Sequence, residues 1–223
     1  MKDRVIALIP AFNEELRIGD TVSSLSATES INSIVVIDDG SNDATAKCAK
    51  EAGAEVIELP RNKGKGEAIN QALGLINSYD ILLLLDADLG HSASEANRLI
   101  EPIIRGEYDM TIADFPAPTT KGGFGLVKAL AAWGIEKCAG LSVVEPLSGQ
   151  RAMSASVMRS VKKLDGGFSA EVGLTIDAAR KGFRILEVPT TMSHAATGRN
   201  ISGFKHRSKQ FYYVLKAILR RLW

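Results

Sequence analysis

With 223 residues, 45% hydrophobic and 24% charged, the chain has ordinary globular composition, which excludes the disordered, collagen-like and disulfide-scaffold classes. Lys and Arg number 27 against 26 Asp and Glu, so a formal net charge of +1 lacks the basic excess of a nucleic-acid-binding protein. Cys48 and Cys138 show no metal or redox spacing, and the start of the chain lacks the long apolar run of a signal peptide, so a reducing, cytosolic compartment is expected.

The first half alternates short β-branched or leucine-rich runs with longer segments of helical period, the pattern of parallel strands joined by crossover helices. Strands are predicted at residues 4–9, 33–38, 55–59, 81–85 and 110–113, and helices at 14–25, 43–52, 65–76 and 94–104, with Gly53 closing the second helix. The near-continuous apolar character of 5–9, 34–37 and 81–85 suits a sheet covered on both faces. These runs are also far shorter than the roughly 20 residues that span a bilayer. Beyond Asp114 the rhythm changes: Pro116, Pro118 and small residues through Gly125 read as a loop, followed by a helix at 126–138. A strand at 150–155, a helix at 170–180 and a strand at 183–188 ended by Pro189 come next. Residues 204–223 form a basic amphipathic helix. Without repeats or low-complexity linkers, one α/β domain over residues 1–223 is expected, with a mostly parallel central sheet and helices on both faces.

In an open parallel sheet, ligands bind at the carboxyl ends of the strands. Strand one runs into Pro10-Ala11-Phe12-Asn13-Glu14, strand two into Asp38-Asp39-Gly40-Ser41-Asn42-Asp43, and strand four into Asp86-Ala87-Asp88, so six acidic groups gather at one edge. Asp86 and Asp88 are two apart, so in extended backbone both carboxylates point the same way and suit Mg²⁺ or Mn²⁺. The alternative for this pair is a turn or cap. Ser41 or Asn42 reads as the cap of the second helix, with Asp43 near the positive end of its dipole. Asp38 and Asp39 precede that cap, where a carboxylate can accept a nucleobase N–H. Lys65, between Gly64 and Gly66, reads either as a phosphate contact or as a solvated loop lysine. His194 is a candidate transition-metal ligand or a surface histidine, and Glu171 is either functional or only stabilises a helix N-terminus.

Four motifs in order, Ile9–Glu15, Val36–Ser41, Asp86-Ala87-Asp88 and His194, resemble the GT-A glycosyltransferases of the large family-2-like group, which use nucleotide sugars. Within that group the pattern is most similar to the glucosyl-3-phosphoglycerate synthases. Asn62–Gly66 resembles their Gly-Lys-Gly loop, Thr120–Leu126 their glycine-rich acceptor loop and Pro146–Gln150 their Pro-Leu-x-Gly segment. Two departures stand out: Phe124 occupies roughly the place of an arginine that helps hold the acceptor phosphate, and the extensions usual at both ends are missing.

The resemblance implies a GT-A, Rossmann-like fold, with a nucleotide-sugar half at 1–113, an acceptor half at 114–203 and a terminal helix at 204–223. It implies a UDP-sugar donor contacted by Pro10, Ala11, Phe12, Glu14, Asp39, Lys65, Asp86, Ala87 and Arg199, and Mg²⁺ or Mn²⁺ held by Asp88 and His194. Gly123, Phe124, Gly125 and Leu126 would meet the acceptor, whose identity stays open, a small phosphorylated acid being one candidate. Asp88 and Glu171 are the expected catalytic residues. Glu171 is a general base if the enzyme inverts, and a ligand of donor hydroxyls if it retains.

Two rival readings attach to other features. The apolar face Phe211, Tyr212, Leu215, Ile218, Leu219, Leu222 and Trp223, with cationic Lys216, Arg220 and Arg221, suits a lipid interface and a polyprenyl-phosphate acceptor, as in the dolichol-phosphate sugar synthases. The same face would otherwise pack on the domain or on a second subunit of a homodimer. A sugar nucleotidyltransferase is disfavoured, because the loop after strand one has neither glycine nor arginine.

Overall fold

The apolar runs form the strands of one seven-stranded sheet in a computed structural model, which describes residues 3–76, 78–115, 125–161, 163–193 and 202–222, with the backbone alone at 168 and 202–209. The strands are β1 (Val5–Ala11), β2 (Ser33–Asp38), β3 (Glu55–Glu58), β4 (Ile81–Leu84), β5 (Met110–Asp114), β6 (Arg151–Ser154) and β7 (Ile185–Pro189). Their order is β3-β2-β1-β4-β6-β5-β7, and every pairing is parallel except those of β6, which runs antiparallel to both β4 and β5.

Alternation along the strands divides the core between the two faces of the sheet. Val5, Ala7, Ile9 and Leu83 pack on one side with Val22 and Leu25 of α1 (Ile18–Ser26) and Leu99 and Ile100 of α4 (Asn97–Ile104). Ile6, Leu8, Leu82 and Leu84 pack on the other with Ile69 of α3 (Lys65–Leu73), Val157 of α6 (Ala155–Val161) and Leu174 of α7 (Ala170–Arg180). The expected α/β architecture and doubly covered sheet are therefore present.

Several boundaries differ from expectation for local reasons. β1 continues through Pro10 to Ala11, because Pro10 pairs with Ile37 of β2 while β4 accompanies β1 only as far as Leu8. The missing N–H of Pro10 therefore falls where one flank of the strand is unpaired. α1 starts at Ile18 rather than 14, since Asn13 adopts φ 57° and the Glu14 carbonyl accepts the N–H groups of Arg17 and Ile18 in a turn. α2 (Thr45–Glu51) starts late because Asp43, rather than Ser41 or Asn42, accepts the Thr45 N–H at 3.0 Å. The helix expected at 94–104 opens as a 3-10 segment, Gly90–Ala96, before α4.

A third apolar cluster joins α5 (Gly125–Ala139), α7 and α8 (Ser202–Leu219) through Ala131, Ile135, Val172, Ile176, Val214 and Ile218. Gly134 permits it, since a Cβ there would run into Ile218. Of the expected apolar face, Ile218 and Leu222 pack in this cluster, but the rest of the packing face is different. Val214, Ala217 and Ile218 are buried, whereas Phe211, Tyr212 and Leu219 stay 42%, 58% and 52% exposed. Trp223 lies outside the described residues. Among these residues no helix is long and apolar enough to cross a membrane.

Just beyond α8, Arg221 donates to Asp165 at 2.5 Å and grips Asp177 with two nitrogens, at 2.7 and 2.5 Å. Burial opposes its charge, but the bonds to Asp177 and Asp165 outweigh that and raise its pKa. Replacing Arg221 by Ala removes the guanidinium from the partly buried Asp177 and leaves Asp165 only the exposed Arg220, at 3.5 Å, so Arg221→Ala is expected to lower the unfolding free energy by about 2 kcal/mol. Urea denaturation measures this, and Arg221→Lys should recover only part of it, because an ammonium cannot form the bidentate contact.

Candidate active site

β1 pairs with β2 on one side and β4 on the other, so the crossovers diverge at β1 and β4, where doubly wound sheets leave a crevice. A cleft of about 890 Å³ opens there, lined in part by Pro10, Phe12, Glu14, Lys65, Asp88 and Glu171. Asp86 and Ala87 also line it.

At its floor, the Lys65 ammonium stands 2.6 Å from Asp86 and 3.1 Å from Glu171. Lys65 is the first residue of α3, Asp86 lies just past β4 and Glu171 lies in the first turn of α7, so three distant elements meet at one charge. Burial disfavours that charge, yet Asp86 and then Glu171 outweigh it and raise the lysine pKa. Gln150 donates to the other Asp86 oxygen at 2.8 Å. Gly149 lets the cluster close: a Cβ there would stand 2.8 and 2.9 Å from the Asp86 oxygens.

Arg151, 1% exposed, braces the same region. It donates to the carbonyls of Pro146, Ser148 and Glu171 and to the Thr175 hydroxyl, and burial pushes its pKa down to about 10.

Of the six acidic groups at the strand ends, three line the cleft: Glu14, Asp86 and Asp88. The Glu14 carboxyl has a raised pKa, first through burial and then through the charge of Asp88, with Arg17 opposing. The other three bond to nearby backbone. Asp38 accepts the Ser41 N–H, Asp43 that of Thr45, and Asp39 those of Lys63 and Gly64 at 2.8 and 2.7 Å. Asp39 therefore shapes the loop that presents Lys65, and it does not line the cleft. Ala11 is buried in the core, its carbonyl accepting the Asp39 N–H. Gly125 and Leu126 head α5, exposed and outside the cleft lining, while Gly123, Phe124, His194 and Arg199 lie outside the described residues.

Among the described residues, no three His, Cys, Asp or Glu side chains gather in a metal-holding group. The carboxylates of Glu14, Asp86 and Asp88, which line this cleft, are hard oxygen donors. Oxygen donors of this kind are the ones that Mg²⁺ and Mn²⁺ take.

The sequence marked Pro146–Gln150 as a family segment but gave Gly149 and Gln150 no place in the site, because it did not show that β6 runs antiparallel. That direction brings the residues preceding β6 to the edge where the parallel strands end. Gln210 and Tyr213 reach the cleft from α8, and no local signal announced them.

The fold, a mostly parallel seven-stranded sheet with helices around it, is that of the GT-A class of Rossmann-like α/β enzymes. Residues 6–132 match the model of Glycosyl transferase family 2. The uncharacterized protein MJ1222 of Methanocaldococcus jannaschii is 32% identical over 226 residues, covering 92% of this chain and 89% of that one. The undecaprenyl-phosphate mannosyltransferase of Micrococcus luteus is 27% identical over 213 residues, 88% of this chain and 86% of that one. A crystal structure of glucosyl-3-phosphoglycerate synthase from Mycobacterium tuberculosis, in complex with Mn²⁺, UDP-glucose and phosphoglyceric acid, matches with a TM-score of 0.81 at 26% identity, covering 99% of this chain and 80% of that one. The chain therefore belongs to glycosyl transferase family 2 and is a glycosyltransferase.

Because Gly149 sits against the Lys65–Asp86 pair, Gly149→Ala is expected to overpack the floor of the cleft. A loss of roughly 1–3 kcal/mol is predicted, read from the shift of the urea midpoint.

Proposed function

We propose that the enzyme transfers a hexosyl group, glucose being the first candidate, from a UDP-sugar to an acceptor hydroxyl or phosphate. The observation that carries this reading is the Lys65–Asp86–Glu171 cluster beside Asp88, in a cleft at the switch point of a GT-A sheet. The matched synthase structure, which holds UDP-glucose and Mn²⁺, supports the choice of donor and metal.

In this reading the segment from Pro10 to Glu14 and the Asn62–Gly64 loop flank the nucleoside, and fixing it there removes part of the entropic barrier. Asp88, with Glu14 and Asp86 near it and His194 as a further ligand, holds Mg²⁺ or Mn²⁺, which supplies positive charge to a diphosphate leaving group. Lys65 adds a second, fixed positive charge, and Arg199 adds a donor contact. Glu171 is ion-paired to Lys65, which suits binding of donor hydroxyls better than proton abstraction. Gly123 to Leu126 are the proposed acceptor contacts, on the family resemblance of that segment, with a small phosphorylated acid as the first class to test. Catalysis takes place in the cytoplasm.

Asp88→Ala is expected to lower UDP release from UDP-glucose with Mn²⁺ by about 100-fold or more, as loss of one preorganised charge-stabilising group does elsewhere. A coupled UDP assay checks it. If UDP-glucose neither binds nor is hydrolysed with any divalent metal, the uridine assignment is wrong.

A second reading has its own support: Phe211, Tyr212 and Leu219 stay exposed on α8, and one relative is named for an undecaprenyl-phosphate acceptor. On this reading α8 rests on a lipid surface and the acceptor is a polyprenyl phosphate. The full chain should then float with anionic liposomes, and Phe211→Ser with Tyr212→Ser should abolish flotation. A concentration-dependent dimer that these substitutions break would instead assign the face to a second subunit.

A further inference from the structure

Gln210 occupies an unusual place in the cleft. It lines the pocket from α8 alongside Leu147, Gly167, Glu171 and Tyr213. Its carboxamide oxygen is shielded from solvent and has no hydrogen-bond partner, the only buried side-chain nitrogen or oxygen in that condition among the described residues. Folded proteins rarely leave such a group unpaired, and exceptions call for a functional account.

The elements around Gln210 are closely packed. Tyr213, one helical turn on, lies so close to Gly167 that a Cβ there would stand 3.2 Å from its ring, and Gly167 takes φ 68°. Arg221 fastens the end of the same helix to Asp165, in the turn that carries Gly167. Gln210 therefore lines the cleft on a helix whose next turn packs against Gly167 and whose end is tied to Asp165.

A carboxamide both donates and accepts, as a sugar hydroxyl does, and its terminal torsion is soft enough to turn its oxygen toward an entering ligand. Glu171, paired to Lys65, lies in the same lining. If Lys65 and the carboxylate-held metal meet the diphosphate, the glycosyl ring is the polyol that comes next to it.

We propose that Gln210 is a specificity-determining residue that hydrogen-bonds a hydroxyl of the transferred sugar. This rests on the UDP-sugar reading above. The test is calorimetric titration of wild-type protein and Gln210→Met with UDP, UDP-glucose, UDP-galactose and UDP-N-acetylglucosamine, each with Mn²⁺. The expected result is unchanged UDP affinity, with a tenfold or greater loss for the sugar nucleotide that wild-type protein binds best, because a site built around a hydroxyl leaves its partner unpaired when that contact is removed. If wild-type protein fails to bind UDP, the donor reading falls and this proposal with it. If UDP and the sugar nucleotide bind the variant as they bind wild type, or if both weaken equally, the donor reading stands and Gln210 does not contact the sugar.

Discussion

One ammonium group between two carboxylates organises this protein. Lys65 joins the start of α3, the end of β4 and the start of α7, which no backbone hydrogen bond links directly at that point. Each partner requires the others: without Lys65, Asp86 and Glu171 would bring two negative charges into an already acidic cleft, and without them burial would disfavour the lysine charge. The rest of the site is arranged around this pair. Asp39 pins the loop before Lys65, Gln150 holds the far oxygen of Asp86, and Gly149 leaves room for both. Arg151 ties the Pro146–Ser148 backbone to the first turn of α7, bonding carbonyls and a hydroxyl rather than a carboxylate.

The C-terminal helix is coupled to the same cluster by close backbone contact. Gly66, next to Lys65, packs against the Asp165 carbonyl so tightly that a side chain at 66 would collide with it. Arg221 grips the Asp165 carboxylate from the other side. Asp165 thus touches both the start of α3 and the residue just beyond α8. The acidic cleft and the cationic end of the chain, which nearly cancel in the net charge of +1, are parts of one assembly.

Much of the fold was legible because strands and helices impose different periods on apolar residues. The runs at 5–9, 34–37 and 81–85 became central strands, and both faces of the sheet are covered as their uninterrupted apolar character required. The acidic strand ends were legible too, but their division of labour was not. Asp38, Asp39 and Asp43 turn to backbone N–H groups, while Glu14, Asp86 and Asp88 face the cleft. Which carboxylate does which depends on where the neighbouring loop passes, and composition carries no record of that.

By itself, the sequence determined the alternation of elements, the edge at which polar residues collect and the motifs that mark the family, since these are local patterns along the chain. Tertiary structure alone decided that β6 runs antiparallel between β4 and β5, so that Gly149 and Gln150 arrive at the site. It also decided that α8 buries Val214, Ala217 and Ile218 and leaves Phe211 and Tyr212 outside. The physical reason is the same in both cases: an amphipathic or apolar segment specifies that a face must be covered, whereas the element that covers it, and in which direction, follows from packing between residues far apart in the chain.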